Sequence, residues 1–319
     1  MKERDGDQQP NQIDVSIVIV NWNTKDLLKN CLNSVYSTIN NLAFEIIVVD
    51  NASSDGSLEM LERDFTQAIR ICNQDNKGFG AANNQAFALM KGKYALLLNT
   101  DALLTPKAVN KLWSFCEANS QAAIVCGQLL NEDGSKQNSI ASFPDLLTLA
   151  TNTSLLEYLF PDKFPSKRYE HERPIEVDSA IGACMMIRKK ALDEIGFFDE
   201  RYFFFFEETD LAYAMKQADW KIYHIPDAYI YHLQGQSIGN NIRSRIEFYR
   251  SRYQFLRKWH SRAYYICASG IIFMRLFVNW ISAGIASAFT LGLVKRNRQK
   301  FAVYFQLIFW HFKRDKRKS

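Results

Sequence analysis

Short apolar runs alternate with amphipathic stretches along the first 130 residues of the chain. The apolar runs, rich in β-branched and aromatic residues, predict strands at 15–21, 44–50, 68–73, 94–99 and 122–128. Between them, apolar residues recur at three- and four-residue spacing and predict helices at 27–36, 57–65, 81–90 and 107–118. This alternation is typical of an α/β domain with a mainly parallel, Rossmann-like sheet and helices on both faces.

Residues 138–173 interrupt the alternation. Prolines punctuate the segment and its far edge, at Pro144, Pro161, Pro165 and Pro174. Such a stretch predicts a long loop or insertion that covers or borders a site. From Val177 the pattern resumes and continues to a strand-like run that ends at Tyr231 and His232.

Composition places the chain among folded globular proteins. Hydrophobic residues make up 47% of its 319 residues and charged residues 23%, values that exclude a disordered segment. The six cysteines occur singly, without C-x-x-C spacing, and predict buried thiols in a reducing compartment. The polar first 14 residues lack the apolar stretch of a secretion signal, so we expect the catalytic part to lie in the cytoplasm.

Charge is distributed unevenly along the chain. Residues 1–240 contain 22 Lys and Arg against 32 Asp and Glu, a net charge of −10, whereas residues 241–319 contain 17 against 2, a net charge of +15. The basic residues flank an apolar run and do not interleave with a nucleic-acid motif. The expected partner of this tail is therefore an anionic membrane surface and not a nucleic acid.

The tail predicts basic and apolar helices. Residues 276–294 form an uncharged run of 19 residues, close to the length that spans a bilayer, but the Asn, Ser and Gly residues within it make its hydrophobicity modest. Lys and Arg crowd both of its flanks, which the positive-inside bias does not favour for a single span. We interpret the tail as helices lying in the membrane interface. A true span remains open, as does a soluble helical subdomain that packs on the catalytic domain or forms a homodimer.

Polar side chains stand where the predicted strands end. In open α/β sheets ligands bind beyond the carboxyl ends of the strands, and Asn21, Asp50 and the Asn99–Asp101 turn occupy these positions. Asp101 suits a hard cation, or it caps the helix after Pro106. Asp50 suits the N–H of a nucleotide base, whereas a capping role fits the later residues of its segment better.

Two further stretches carry candidate chemistry. The Gly-rich turn around Asn76, Lys77 and Gly78 would let backbone approach a diphosphate, although such turns are mostly structural. Glu207, Glu208 and Asp210 follow four phenylalanines, and a carboxylate in such surroundings can serve as a general base. The same acids also suit the first turn of a helix. His232 is either a metal ligand or an ordinary histidine at a strand end.

Together and in this order, these stretches resemble family 2 glycosyltransferases with the GT-A fold. The resemblance spans 15–239 and rests on SIVIVNWNT, VVDNASSDGS, NKGFGAANN, LLNTDALL, GACMMIRKKALDEIGFFDE, FFEETDL and YHLQGQS. The N-x-D pattern and the basic tail look most like bacterial rhamnosyltransferases that build cell-surface polysaccharide. We therefore expect a polar arm at 1–14, a catalytic domain at 15–239 and a membrane-associating tail at 240–319.

The resemblance implies residue roles. Asn21, Asp50 and Asn76 match positions that hold the base and ribose, Lys77 and Gly78 lie near the diphosphate, and Asn99 opens the N-x-D pattern of the donor site. Asp101 and His232 match ligands of a divalent cation, Mg or Mn. Glu208 matches the catalytic base, but many relatives have Asp there, so the choice between Glu207 and Glu208 stays open.

The implied reaction is an inverting transfer from a nucleotide sugar to a saccharide hydroxyl. A dTDP-rhamnose donor and a lipid-linked acceptor at the cytoplasmic face of the cell membrane are favoured, with another UDP- or dTDP-sugar as the alternative. A sugar-nucleotide pyrophosphorylase would show a Gly-rich, basic phosphate loop near the N-terminus, which residues 17–28 lack. An inactive sugar-binding scaffold would not be expected to keep Asp101 and the acidic cluster.

Overall fold

A computed structural model of the chain describes residues 12–166, 171–233, 242–291 and 293–313. The Gln234–Ser237 part of the last family motif lies outside the described residues. The chain divides into two compact units. The first consists of residues 1–142 and 166–238, and the second of residues 143–165 and 239–319.

The strands belong to the first unit and form one large sheet and a two-stranded one. They are β1 (Val15–Asn21), β2 (Phe44–Asp50), β3 (Ile69–Cys72), β4 (Tyr94–Leu98), β5 (Ala102–Leu104), β6 (Ala122–Leu130), β7 (Ile140–Ala141), β8 (Ile175–Glu176), β9 (Ser179–Ala180), β10 (Cys184–Arg188) and β11 (Lys221–His232). The large sheet has the order β3-β2-β1-β4-β10-β6-β11-β5, with β8 on β11, and β7 pairs with β9.

Six of the nine strands in the large sheet, β1, β2, β3, β4, β6 and β11, run in the same direction, as the sequence predicts. β1 lies parallel to both β2 and β4, β2 to β3, and β6 to β11. β10 enters between β4 and β6 antiparallel to both, and β5 is antiparallel to β11. The carboxyl ends of β1 and β2 therefore meet at one edge of the sheet.

Helices cover the sheet of the first unit. They are α1 (Lys25–Thr38), α2 (Ser57–Asp64), α3 (Phe79–Phe87), α4 (Ala108–Ala118), α7 (Lys189–Ile195) and α8 (Glu207–Gln217). Leu28 and Leu32 of α1 are fully buried in one cluster with Ile17 of β1. Val18, which points to the opposite face of β1, is also buried, so both faces of the strand are covered.

The second unit is helical. Its helices are α5 (Leu146–Ala150), α6 (Thr153–Leu159), α9 (Ile242–Trp259), α10 (Arg262–Phe289) and α11 (Lys295–Lys313). Leu149 of α5 packs in one apolar cluster with Leu256, Ile272 and Leu307 of the three long helices.

The prediction of a loop at 138–173 is wrong over α5 and α6, because side chains start both helices. Asp145 accepts a hydrogen bond from the Thr148 backbone N–H (2.7 Å), and the Thr148 hydroxyl accepts one from the Asp145 N–H (2.9 Å). This reciprocal arrangement is a capping box. Asn152 caps α6 through the Ser154 N–H (3.0 Å). Pro144 and Pro161 lie outside these helices and do not break them.

Helix α10 and the residues after it expose large apolar side chains. Phe289, Leu291 and Leu293 are 83–85% exposed. By length and composition alone, α10 could cross a membrane, with a mean hydropathy of 1.6 over its best window.

Candidate functional site

Asn21 and Asp50 meet at the carboxyl ends of β1 and β2. The two residues are register partners, and the Asn21 amide Nδ2 donates to the Asp50 carboxylate at 2.7 Å. Both side chains are buried. The Thr24 hydroxyl donates to the Asn21 amide oxygen at 2.8 Å, which fixes the orientation of the amide.

Asp50 also organises the loop that follows β2. Its second oxygen accepts the Ser53 backbone N–H at 2.8 Å, and the Ser53 hydroxyl accepts from the Asn21 amide at 3.0 Å. Helix α2 begins only at Ser57 with Gly56 as its N-cap, so Asp50 does not cap it. A carboxylate has about four acceptor sites, of which two are used here by described residues.

The Gly-rich turn is held from both sides. The Asn76 side-chain oxygen accepts the Gly78 N–H at 2.9 Å, and the Asn51 amide donates to the Gly78 carbonyl at 3.2 Å. Gly78 has φ +86°, and a Cβ there would lie 2.6 Å from the Phe203 carbonyl oxygen. Only glycine satisfies both conditions. The Lys77 ammonium pairs with Asp75 at 2.5 Å on the exposed surface.

The turn from Asn99 to Asp101 connects β4 to β5. The Asn99 backbone N–H donates to the Ala183 carbonyl at 2.9 Å, which ties the turn to the start of β10. The Thr24 hydroxyl, whose proton goes to Asn21, accepts a hydrogen bond from the Thr100 hydroxyl at 3.0 Å and so links this turn to Asn21. Asp101 is almost completely buried. The interpretation of Asp101 as a helix cap is wrong, because α4 begins at Ala108 and its N-cap is Lys107, six residues after Asp101.

His232, the last residue of β11, faces Asp101. The antiparallel pairing of β11 with β5 places His232 opposite Ala102, and its Nε2 atom lies 3.4 Å from the Asp101 carboxylate. The structure thus brings together the two residues that the sequence suggested as metal ligands.

Gln137 orients His232, and sequence reasoning missed it. Its Nε2 donates to the His232 carbonyl, which fixes the amide so that Oε1 faces the ring Nδ1 at 3.0 Å. An amide oxygen can only accept, so Nδ1 carries a proton, and Nε2 is the ring nitrogen that faces Asp101. His232 and Gln137 also line a cleft of about 290 Å³ with Asn131, Lys136, Asn138 and Ile181. No sequence signal marks Gln137, because its partner lies 95 residues away.

The three acids at the start of α8 occupy different environments. Glu207 is buried, and its Cγ lies 3.3 Å from where a Cβ on Gly80 would stand. Asp210 is buried too and accepts the Tyr202 hydroxyl at 3.0 Å. Glu208 is half-buried beside Gly182, and burial raises its pKa to about 7. As the sequence anticipated, all three also lie in the first turn of the helix.

Glu208 and the Asn99–Asp101 turn both adjoin the start of β10. A Cβ on Gly182 would lie 3.9 Å from Glu208 Cγ and Cδ, and the next residue, Ala183, accepts the Asn99 N–H. Among the described residues no group of three or more His, Cys, Asp and Glu could hold a metal. At this edge, Asp101 and His232 are a described carboxylate and imidazole in contact with each other.

Comparisons with known proteins identify the family. The family model for glycosyl transferase family 2 matches residues 16–196. The chain is 26% identical over 232 residues to an N-acetylglucosaminyl-diphospho-decaprenol L-rhamnosyltransferase of Mycobacterium tuberculosis, covering 68% of this chain and 75% of that protein. It is 28% identical over 219 residues to the low-salt glycan biosynthesis hexosyltransferase Agl10 of Haloferax volcanii, covering 67% of this chain and 66% of that protein.

A solved structure shares the fold. The mannosyltransferase PcManGT from Pyrobaculum calidifontis, in complex with GDP-Man and Mn²⁺, matches 98% of this chain and 92% of its own. The TM-score is 0.60 and the identity 15%. This likeness, with the sheet order above, confirms the predicted GT-A fold.

Proposed function

The chain belongs to glycosyl transferase family 2, and on that premise we propose that it transfers a sugar, with inversion, from a nucleotide sugar to a saccharide hydroxyl. A dTDP-rhamnose donor and a lipid-linked acceptor are the favoured substrates. The observation that carries the proposal is the contact of Asp101 with His232 at the ligand-binding edge of the sheet.

The donor would bind along the carboxyl ends of β1 and β2. Asp50 has acceptor capacity for a base N–H, and Asn21 fixes the orientation of its carboxylate. Asn76 shapes the turn in which Gly78 brings backbone close to the ribose and diphosphate. Asn99 stands beside Asp101, where the sugar would follow the diphosphate. The pairing of Lys77 with Asp75 means that Lys77 must exchange partners to reach a phosphate.

Asp101 and His232 fit a divalent cation, Mg or Mn. A carboxylate oxygen and an imidazole nitrogen are suitable donors for Mn, and a separation of 3.4 Å is compatible with binding to one ion. Cations that act on nucleotides take one or two protein ligands and complete their shell with phosphate oxygens and water, so two protein donors suffice. When bound, the cation would neutralise the negative charge that develops on the departing nucleoside diphosphate.

Glu208 would act as the general base. It removes the proton from the acceptor hydroxyl while the hydroxyl oxygen attacks the anomeric carbon, and the bond to the diphosphate oxygen breaks on the opposite face. A pKa of about 7 suits a base that works near neutral pH. Glu207 is less suited to act as the base, because its side chain is buried and packs against Gly80.

The second unit would hold the enzyme at the cytoplasmic face of the membrane. Its exposed apolar residues at 289–293 and the net charge of +15 over residues 241–319 support binding to an anionic lipid surface. The Mycobacterium relative bears a name that describes a lipid-linked acceptor, and we extend that acceptor class to this chain.

A donor screen followed by product analysis tests the proposal. Purified protein with Mn²⁺ should release nucleoside diphosphate slowly from one member of a panel of nucleotide sugars, with dTDP-rhamnose expected to lead. Addition of a prenyl-diphosphate-linked saccharide should accelerate release, and NMR of the product should show the anomeric configuration opposite to that of the donor. A retained configuration would contradict the single displacement through Glu208.

A further inference from the structure

Helix α9 contains an arginine, Arg252, whose charge has no carboxylate partner in the part of the chain that the structure describes. The Arg252 guanidinium packs on its own helix, with Cζ 4.6 Å from the Phe248 ring centroid and 5.4 Å from that of Tyr249. Its Nε is shielded from solvent, and Arg252 makes no hydrogen bond or ion pair with any residue in the described part of the chain. A guanidinium has five donors, and of these the Nε–H of Arg252 is shielded from solvent without a partner among the described residues.

Within the described ranges of the chain, no carboxylate pairs with Arg252. Glu247 is the single acidic residue in the sequence from 242 to 313, and it pairs with Arg250. A second cation lies near: Arg275 of α10 donates to the Leu149 carbonyl at 3.0 Å. Burial lowers the pKa of Arg252, and the charge of Arg275 lowers it further, against the opposing effect of Tyr249.

An unpaired, shielded cation beside a second cation is costly in a folded protein. Such groups are retained where an anion completes the site, and a guanidinium binds phosphate oxygens through two parallel hydrogen bonds. Two arginines also match the charge of a diphosphate. The apolar residues exposed at 289–293 in the same helical unit indicate that this anion is borne by a lipid.

We propose that Arg252, together with Arg275, binds the diphosphate of a prenyl-linked acceptor. This inference rests on the proposed function and names the part of the acceptor that the second unit recognises. Arg250 provides a matched control, because it lies two residues away on α9, carries the same charge and is paired with Glu247.

Binding of the full chain to vesicles tests the site. The probes are phosphatidylcholine vesicles carrying farnesyl diphosphate, phosphatidylcholine vesicles carrying phosphatidylglycerol at matched surface charge, and inorganic pyrophosphate in solution. On phosphatidylglycerol, Arg252→Gln and Arg250→Gln should weaken binding equally, by up to about fivefold, the effect of one surface charge. On farnesyl diphosphate, Arg252→Gln should bind about tenfold more weakly than Arg250→Gln, because charge-assisted bonds are lost as well.

Equal losses for both variants on farnesyl diphosphate would overturn the proposal, since Arg252 would then contribute only surface charge. The proposal would equally fail if pyrophosphate in solution bound wild-type protein as tightly as the lipid-borne diphosphate. Release of nucleoside diphosphate from the donor in the absence of acceptor should be unchanged in Arg252→Gln. Loss of that release from wild-type protein would instead contradict the proposed function.

If Arg252→Gln folds poorly, the unfolding temperature of a second variant, Arg252→Met, tests the same site. Arg252→Met removes an unpaired cation but keeps an apolar stem, so it should unfold at the wild-type temperature or above it. Farnesyl diphosphate should raise the unfolding temperature of the wild type and of Arg250→Gln, but not that of Arg252→Met. An equal rise in all three proteins would overturn the proposal.

Discussion

At the residue scale, environment separates side chains that look equivalent in the sequence. Glu207 and Glu208 are neighbours, yet helical geometry turns them about 100° apart. One side chain meets α3 in the core, whereas the other lies half-buried beside Gly182. The sequence identified the acidic cluster but could not choose within it, because the choice depends on where α8 begins and on what packs against it.

The first prediction concerns these two carboxylates. Glu208→Gln should lower the transfer rate by about a hundredfold or more, the usual contribution of a general base, and leave donor affinity unchanged. Glu207→Gln should retain most of the transfer rate. In wild-type protein the rate should fall as the pH drops below about 7, because Glu208 becomes protonated. Steady-state kinetics across pH measure the transfer rates of the two variants and the pH profile of the wild type. An inactive Glu207→Gln together with an active Glu208→Gln would assign the general base to Glu207.

The raised pKa of Glu208 also has a stability consequence. The folded state holds the proton more tightly than the unfolded state, so this group's contribution to stability is present at low pH and is lost as the pH rises through about 7. Glu208→Gln cannot ionise and should escape that loss. Its unfolding temperature relative to wild type should therefore be higher at about pH 8 than at about pH 5. A difference that does not vary with pH would place Glu208 in a solvent-like environment.

At the element scale, the local hydrophobic pattern predicted the bounds of five strands, whereas the place of β10 in the sheet depends on pairing between distant segments. β1 and β2 have the predicted bounds, and the other three predicted strands differ by one or two residues at their ends. The insertion of β10 between β4 and β6 could not be predicted, because it joins strands more than 50 residues apart. The position of Gln137 against His232 follows from the same long-range arrangement.

The contact between the start of α3 and the segment before α8 yields a further prediction. Gly78→Ala should destabilise the fold and weaken donor binding, because the position combines φ +86° with the close Phe203 carbonyl. Gly134→Ala is the control, since Gly134 has φ +80° but open space around it. The control should lose about 1–2 kcal/mol in the free energy of unfolding from backbone strain alone. Equal losses in urea unfolding would show that the Phe203 contact contributes nothing.

At the scale of the whole molecule, an acidic catalytic unit is joined to a basic, apolar helical unit. Residues 143–165 could not be assigned to that unit from the sequence, because their apolar partners lie about a hundred residues later in the chain. Deleting the tail would remove those partners and expose Leu149, so membrane binding is better tested in the intact chain.

Membrane binding should depend on the apolar residues after α10. Replacing both Phe289 and Leu293 by Ser should weaken binding to anionic vesicles by at least about a hundredfold, since each buried apolar side chain contributes about 1.5–3 kcal/mol. Leu89→Ser, at a half-exposed leucine of the first unit, should have no effect. Alkaline carbonate should extract at least part of the wild-type protein from membranes. Complete retention would indicate that α10 spans the bilayer.

The edge of the sheet that bears Asp101 and His232 is expected to turn over a nucleotide sugar, and the release of nucleoside diphosphate measures this turnover. We expect wild-type protein to release the diphosphate with Mn²⁺ or Mg²⁺ and to stop when the cation is chelated. Asp101→Asn should release it at least about a hundredfold more slowly at an unchanged unfolding temperature, the scale of losing one electrostatic group at a reacting centre. Undiminished release by Asp101→Asn, or by wild-type protein in excess chelator, would contradict the account.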